Sequence, residues 1–192
     1  MIDAIQRFGI EYHFEEEIEE ALQRKPLMMS SRDQDLYDVA LQFRLLRQQG
    51  YYVHADVFDT FRDKKGNLKE KVCKDIMGLL QLHEASQLSV QGEKNLDEAG
   101  EISRELLLAW LSTNPNNNDH QKAKLIISNA LQFPLHKSLP RFSERSSTCL
   151  NSYDFQFRIE NKVWIDTFQE LAKFDSYVVN SIHQQELLQV SK

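Results

Sequence analysis

Cysteine, proline, glycine, long apolar runs and excess positive charge are all scarce in this 192-residue chain, and each scarcity removes a class of protein. Only Cys73 and Cys149 are present, far apart and in no paired motif, so neither a disulfide framework nor a thiolate metal site is expected. A reducing compartment fits that usage. Six glycines and four prolines are too few for a turn-rich sheet protein. The longest apolar run, Leu106 to Leu111, falls far short of the roughly 20 residues needed to span a bilayer. No charged-then-apolar leader opens the chain, so a soluble, cytosolic protein is expected. The formal net charge of −6, carried on acidic stretches such as Glu15-Glu16-Glu17 and Glu19-Glu20, disfavours a phosphate backbone as partner, and nucleic acid is not expected. Nucleophile elbows and phosphate-binding glycine loops are missing as well.

What is there favours packed helices. Eleven phenylalanines, 41% hydrophobic and 27% charged residues describe a soluble all-α protein, and the length suits one domain with a real core. From Asp35 to Phe61, Leu36, Val39, Ala40, Phe43 and Leu46 recur at three-and-four spacing, which places them on one helix face with Arg44 and Arg47 elsewhere on the cylinder. Gly50 stops that helix and lets the chain reverse into a second short helix around Val57, Phe58 and Phe61. Phe14, Ile18, Ala21 and Leu22 form an earlier stripe that ends before Pro26, with Ser30 to Arg32 as a polar link. Lys64 to Asn67 reads as a turn, and Ser112 to Asn118 as a surface loop inside one domain. Further helices are predicted near Val72–His83, over Leu96–Leu111 with Leu96, Ala99, Ser103, Leu106 and Trp110 on one seam, and around Ala123, Ile126, Ile127 and Ala130. The last runs from about Asn161 to Leu188, with Phe168, Leu171, Val178 and Ile182 on one face.

The hairpin at 35–61, preceded by IDAIQRFGIEYHFEEEIEEAL at 2–22 and followed by DIMGLLQLHEA at 75–85, GEKNLDEA at 92–99, ALQFPLHKSLPR at 130–141, ELAKFD and HQQEL, resembles the N-terminal helical domain of plant class I terpene synthases. The resemblance covers nearly the whole chain. It implies a single domain over 1–192 built as an α/α-barrel, a toroid of antiparallel helical hairpins. Family members precede this region with a tandem-arginine segment and follow it with a larger catalytic helical domain, so the resemblance implies a truncated synthase, inactive alone. The absent serine- and arginine-rich transit segment points, by the same resemblance, to the cytosolic sesquiterpene-type branch. The parent activity it implies is a lyase cyclising a prenyl diphosphate such as farnesyl diphosphate. Mg²⁺ would be held by DDxxD and a second Asn/Asp, Ser/Thr, Glu motif on the catalytic domain, where clustered carboxylates neutralise the departing diphosphate. No cofactor, metal or catalytic residue is therefore expected in this chain. The partners implied are a terpene synthase catalytic domain or a second copy; the alternative function is a stand-alone helical module that binds a full-length synthase or itself.

The residues carry no substitute for those motifs. No two aspartates are adjacent, which excludes DDxxD and also DxDD, the proton-donating motif of class II cyclases. Asp35 and Asp38 lie one helical turn apart and could share a cation, but acids at a helix start equally cap its N–H groups, as Asp33 or Asp35 would. Asn118-Asp119 begins like the second motif, yet Lys122 and Ile126 stand where a hydroxyl and a glutamate are required. His83-Glu84-Ala85-Ser86-Gln87 begins like a zinc-binding helix with Gln87 in place of the second ligand. Lys137, Arg141 and Arg145 could attract an anion, although Pro140 interrupts their face. Asp175 sits in the apolar stripe of the last helix as a buried, hydrogen-bonded structural carboxylate, and Trp110 and Trp164 read as core anchors. Phe142 to Asp154 departs from the family pattern, with Ser146, Ser147 and Thr148 favouring turn or weak helix.

Overall fold

The computed structural model describes residues 1–24, 35–113, 121–137 and 163–191, and among them it is all helical apart from one isolated antiparallel bridge between Arg62 and Leu68. The chain divides into two compact units: residues 1–15 with 140–192, and residues 16–139. The predicted link at Ser30–Arg32, residues Asn114–Asn118 of the predicted Ser112–Asn118 loop, Asp33, Asn118-Asp119, Arg141, Arg145, Cys149 and the stretch Phe142–Asp154 all lie outside the described residues, while Ser112 and Thr113 end the helix Lys94–Thr113.

In the first unit, α1 (Ile2–Arg7) leads through a 3₁₀ turn, Glu11–His13, and the long α8 (Val163–Val190) closes the chain. Phe168 is the apolar joint between them, edge-on to Phe14 at 5.5 Å and to Trp164 at 5.8 Å between ring centroids. Such edge contacts add about 0.5–1.5 kcal/mol each beyond burial.

The second unit holds α2 (Glu15–Gln23, counted from its second residue), α3 (Leu36–Gln48), α4 (Glu70–Cys73), α5 (Ile76–Ser86), α6 (Lys94–Thr113) and α7 (Gln121–Gln132), with 3₁₀ turns at Ala55–Phe61 and Leu135–Lys137. In α2 the predicted stripe survives as Ile18 and Leu22, both buried. Helix α3 starts where Asp35, in extended backbone, accepts from the Asp38 N–H at 2.9 Å. It stops at Gly50, whose φ of 82° is open to glycine at little cost. Gly50 N–H donates to Arg47 O and Tyr51 N–H to Leu46 O, both at 3.0 Å, which satisfies two carbonyls left over at the helix end. The chain then reverses, as expected, though the second short helix is a 3₁₀ turn; its Phe58 packs on Phe43 at 5.0 Å.

Helix α5 is the centre of this unit. Every residue from Gly78 to Ser86 is buried, against α3 on one side and α6 on another. A single helix near Val72–His83 is corrected to two, because Asp75 caps a fresh start by accepting from Gly78 N–H at 3.0 Å. The α5–α6 crossing is tight at Gly100: a Cβ there would lie 2.4 Å from Ser86 Oγ. That close approach moves the α6 seam. Leu96, Ala99, Gly100, Ser103 and Leu107 are buried, whereas the predicted Leu106 and Trp110 are only half-buried. Ile126, Ile127 and Ala130 of α7 are buried as read from the pattern.

Candidate functional site

A buried helix with polar residues must account for each of them. In α5, Ser86 Oγ donates to His83 O at 2.7 Å, and Glu84, 1% exposed, accepts from Leu135 N–H at 2.9 Å. His83 is 4% exposed, and neither ring nitrogen reaches a hydrogen-bond partner among the described residues; the Gly100 backbone approaches the ring outside hydrogen-bonding geometry. Burial holds its pKa below the ordinary histidine value, and Arg104 and Lys137 push the same way against Glu101. The imidazolium is therefore disfavoured, and His83 lines a cleft of about 860 Å³ between α5, α6 and the turns at 62–67 and 134–137, with both ring nitrogens shielded from solvent. Arg62 is engaged at the cleft's far end, donating to Gly66 O at 3.2 Å and lying 3.5 Å from Glu98.

Two arginines that periodicity placed off the apolar face prove buried. Arg44 is fully buried and donates to Gln48 Oε1 at 3.1 Å. Arg47, at the C-terminal turn of α3, is clamped by acceptors: Val53 O at 3.1 and 2.5 Å, Leu88 O at 3.0 Å, and both carboxylate oxygens of Glu93, one at 2.6 Å. Its guanidinium lies 4.3 Å from the Phe43 ring centroid. Hydrogen bonding from Arg47 holds the Glu93 pKa below the usual carboxylate range. A cation in the last turn of a helix before a glycine stop was the available signal, since it faces the orphan carbonyls and whatever crosses them.

The sequence candidates fall apart as chemistry. Asp35 is an N-cap, the structural alternative to sharing a cation with Asp38. Asp175 is 9% exposed and accepts from Tyr12 Oη and, at 2.9 Å, from His13 Nε2, which makes it the hydrogen-bonded buried carboxylate expected there. Trp164 is half-buried against Phe168 and serves packing. Lys137 is exposed on the cleft rim, and Cys73 is a half-buried free thiol 3.6 Å from Leu68 O. Among the described residues no three His, Cys, Asp or Glu side chains come together to hold a metal ion, and the scattered carboxylates do not fit a Mg²⁺ cluster. No described helix is long and apolar enough to cross a membrane.

The last feature is apolar. Phe174, Tyr177, Val178, Ile182 and Leu188 of α8 are between 39% and 73% exposed. Val178 and Ile182, predicted to share the packed face of Phe168 and Leu171, are exposed where those two are half-buried.

Residues 1–131 match the family described as terpene synthase, N-terminal domain. The chain belongs to the terpene synthases. This terpene synthase domain is 49% identical over its full length to probable terpene synthase 13 of Ricinus communis, 44% to the chloroplastic neryl diphosphate diphosphatase of Glycine max, and 42% to the chloroplastic tricyclene synthase 0e23 of Antirrhinum majus. It covers 32%, 35% and 32% of those proteins, about a third of each. Isoprene synthase from grey poplar superposes with a TM-score of 0.80 at 30% identity, over 99% of this chain and 34% of that one, and the same enzyme has been solved in complex with three Mg²⁺ ions. The fold expectation of an all-α, terpene synthase-like domain therefore holds. The cytosolic expectation does not: two of these relatives are chloroplastic proteins, and absence of a leader in these 192 residues carries no weight against that.

Proposed function

We propose that this domain serves a terpene synthase as a non-catalytic helical support, and that its partner is the synthase's catalytic helical domain, engaged through the exposed stripe of α8. The observation that carries the reading is that exposure: seven large apolar side chains, Leu187 and Val190 among them, on the last helix of a chain that spans a third of its relatives' length. Contiguous exposed apolar surface on a soluble domain marks an interaction site. The parent reaction would be that of a lyase on a prenyl diphosphate such as farnesyl diphosphate, in a plastid setting, with Mg²⁺ held by residues outside this chain. Chemistry within the 192 residues is disfavoured by the dispersal of the described carboxylates and by the sequence's lack of adjacent aspartates.

The test has two parts. Purified protein incubated with farnesyl diphosphate and Mg²⁺ should yield no volatile product above a denatured control by gas chromatography and mass spectrometry; product would overturn the support role. Mixed with the separately produced catalytic part of the Ricinus relative, the domain should form a one-to-one complex by light scattering. A homodimer that persists in that mixture would favour self-association instead.

A further inference from the structure

We propose that the last turns of α8, from Ser176 to Val190, become stably helical only when the synthase's catalytic domain covers them, so that docking and the folding of this segment are a single event. The inference rests on the docking role proposed above and adds a conformational step to it.

Three features of the segment carry this. First, it buries nothing. Up to Asp175, α8 has two buried side chains, Ile165 and Asp175, and half-buried ones from Trp164 to Ala172; from Ser176 to Val190 no residue is buried, and from Gln184 onward every one is exposed. Most helical stability in proteins comes from packing one face, so this stretch lacks the usual source. Second, the helix must be carried through weak helix formers. The run from Ser176 to His183, SYVVNSIH, contains no alanine, leucine, methionine, glutamine, glutamate, lysine or arginine. Val178, Val179 and Ile182 lose rotamer freedom against the preceding turn, and Ser181 Oγ donates to Tyr177 O at 2.9 Å, a back-bond that weakens the local helix. Eight such residues lower the helix–coil equilibrium by a factor on the order of 10³ relative to eight alanines. Continuing from the packed turns spares the segment a fresh nucleus, but every residue of that run must still propagate on its own propensity. Third, the better helix formers lie beyond it. Gln184 to Gln189 number six, and an isolated helix shorter than ~12–15 residues is marginal in water. What the segment lacks, a covering surface supplies. Tyr177, Val178, Ile182, Leu187, Leu188 and Val190 are between 39% and 87% exposed, and they gain burial only against a partner. The apparent affinity for that partner is then the intrinsic one reduced by the fraction of chains already helical.

The experiment is amide hydrogen exchange on the 192-residue chain, alone and mixed with the separately produced catalytic part of the Ricinus relative. Alone, amides 180–190 should exchange within about tenfold of an unstructured peptide, while those of α5 should be protected by about 1000-fold or more. In the complex, amides 180–190 should slow by about 100-fold or more. Asn180 is exposed and lies away from the apolar side chains, so its variants change the helix without removing a docking contact. Asn180→Ala should tighten binding by about threefold, the gain in propensity read through the helical fraction. Asn180→Pro should weaken binding by about 100-fold and leave the Tm of the free chain unchanged. Protection of amides 180–190 in the free chain, a lower Tm in Asn180→Pro, or equal affinity of Asn180→Ala and the parent would overturn the coupled folding while leaving the docking role standing. A complex in which amides 180–190 stay unprotected would overturn both. Failure to form a complex would overturn the docking role, and folding on that partner with it.

Discussion

Replacing Arg47 with methionine should be among the most damaging single changes available in residues 16–139. The substitution keeps an unbranched side chain over Phe43 but removes the donor that serves Val53 O, Leu88 O and the Glu93 carboxylate. The Arg47 and Glu93 side chains are 6% and 11% exposed, so the carboxylate left behind is a nearly buried charge whose remaining donor among the described residues is the Val90 N–H at 3.1 Å. Breaking a buried pair from one side costs about 3–5 kcal/mol. Against a total stability of about 5–15 kcal/mol that is a large share, and at about 2–4 °C per kcal/mol it lowers Tm by roughly 6–20 °C. Glu93→Gln alone should cost less, because the amide oxygen still accepts from Arg47. The double variant Arg47→Met with Glu93→Gln should be no worse than Arg47→Met alone, a coupling of about 1–3 kcal/mol, while the two orphaned carbonyls prevent full recovery. Urea unfolding followed by circular dichroism gives all four corners of that cycle. Strict additivity, or a loss below about 1 kcal/mol in Arg47→Met, would refute the claim that an uncompensated Glu93 charge is the cause. The pH dependence is a second check. The folded Glu93 pKa lies below its unfolded value, so its contribution is present above about 4.5 and is lost as pH falls through the folded pKa; Glu93→Gln should flatten stability in that window.

Four further outcomes follow from the same geometry. Gly100→Ala drives a methyl group to within 2.4 Å of Ser86 Oγ and 2.7 Å of Ser86 Cβ and should destabilise by about 1–3 kcal/mol; Ser86→Gly should restore part of this and Ser86→Ala should not, since the Cβ clash remains, as thermal melts of the pairs would show. His83 has a folded pKa depressed chiefly by burial, so the unfolded chain takes up its proton first and stability should fall as pH drops below about 6.5; exposed His136, depressed chiefly by partial desolvation, acts in the same direction, and His83→Gln should reduce the difference in urea midpoint between about pH 5 and pH 7.5. Asp175→Ala strips Tyr12 Oη and His13 Nε2 of their shared acceptor and should cost about 1–3 kcal/mol, Asp175→Asn less, measured by the same melts. Phe174→Glu with Leu188→Glu should abolish association with a synthase catalytic domain while leaving Tm within about 2 °C of the parent, because both side chains are already two-thirds exposed.

Periodicity made the helices legible because apolar spacing is a local record of which face is buried. Leu36, Val39, Ala40, Phe43 and Leu46 are all buried as read, and the stops at Gly50 and before Pro134 hold. It failed where burial is not apolar. Arg44 and Arg47 carry charge yet are buried, because the acceptors that draw Arg47 inward come from residues 53, 88 and 93, and no window around position 47 contains them all. The α6 seam shifted for a similar reason: Gly100 has no side chain to score, yet its missing Cβ sets how closely α5 approaches and therefore that Leu107, and not Trp110, turns inward. The cleft was invisible because its floor, rim and cations come from four separate stretches, with His83 readable only as half of a failed zinc motif.

The exposure along α8 is the strongest sign that its two halves answer to different partners. At about 100° per residue, Trp164, Ile165, Phe168, Leu171, Ala172 and Asp175 fall within ~120° of arc, and all six are buried or half-buried. Tyr177, Leu188, Phe174, Val178 and Ile182 span ~140°, centred roughly 110° away, with Ile182 reaching into the first arc, and all are exposed, as are Leu187 and Val190 outside that span. A helix folding onto one surface keeps its apolar stripe in phase along its length, with only the slow drift that a 3.6-residue turn allows. Here seven large apolar side chains from Phe174 onward stand exposed, and apolar surface of that extent costs solubility unless something covers it. The charge-bearing positions of the same stretch, Lys173 and Glu186, lie outside the ~140° span, so a helix that meets it encounters no buried charge. That is why the paired glutamates at 174 and 188 are the decisive change: they place two charges inside the arc while touching nothing that holds the domain together.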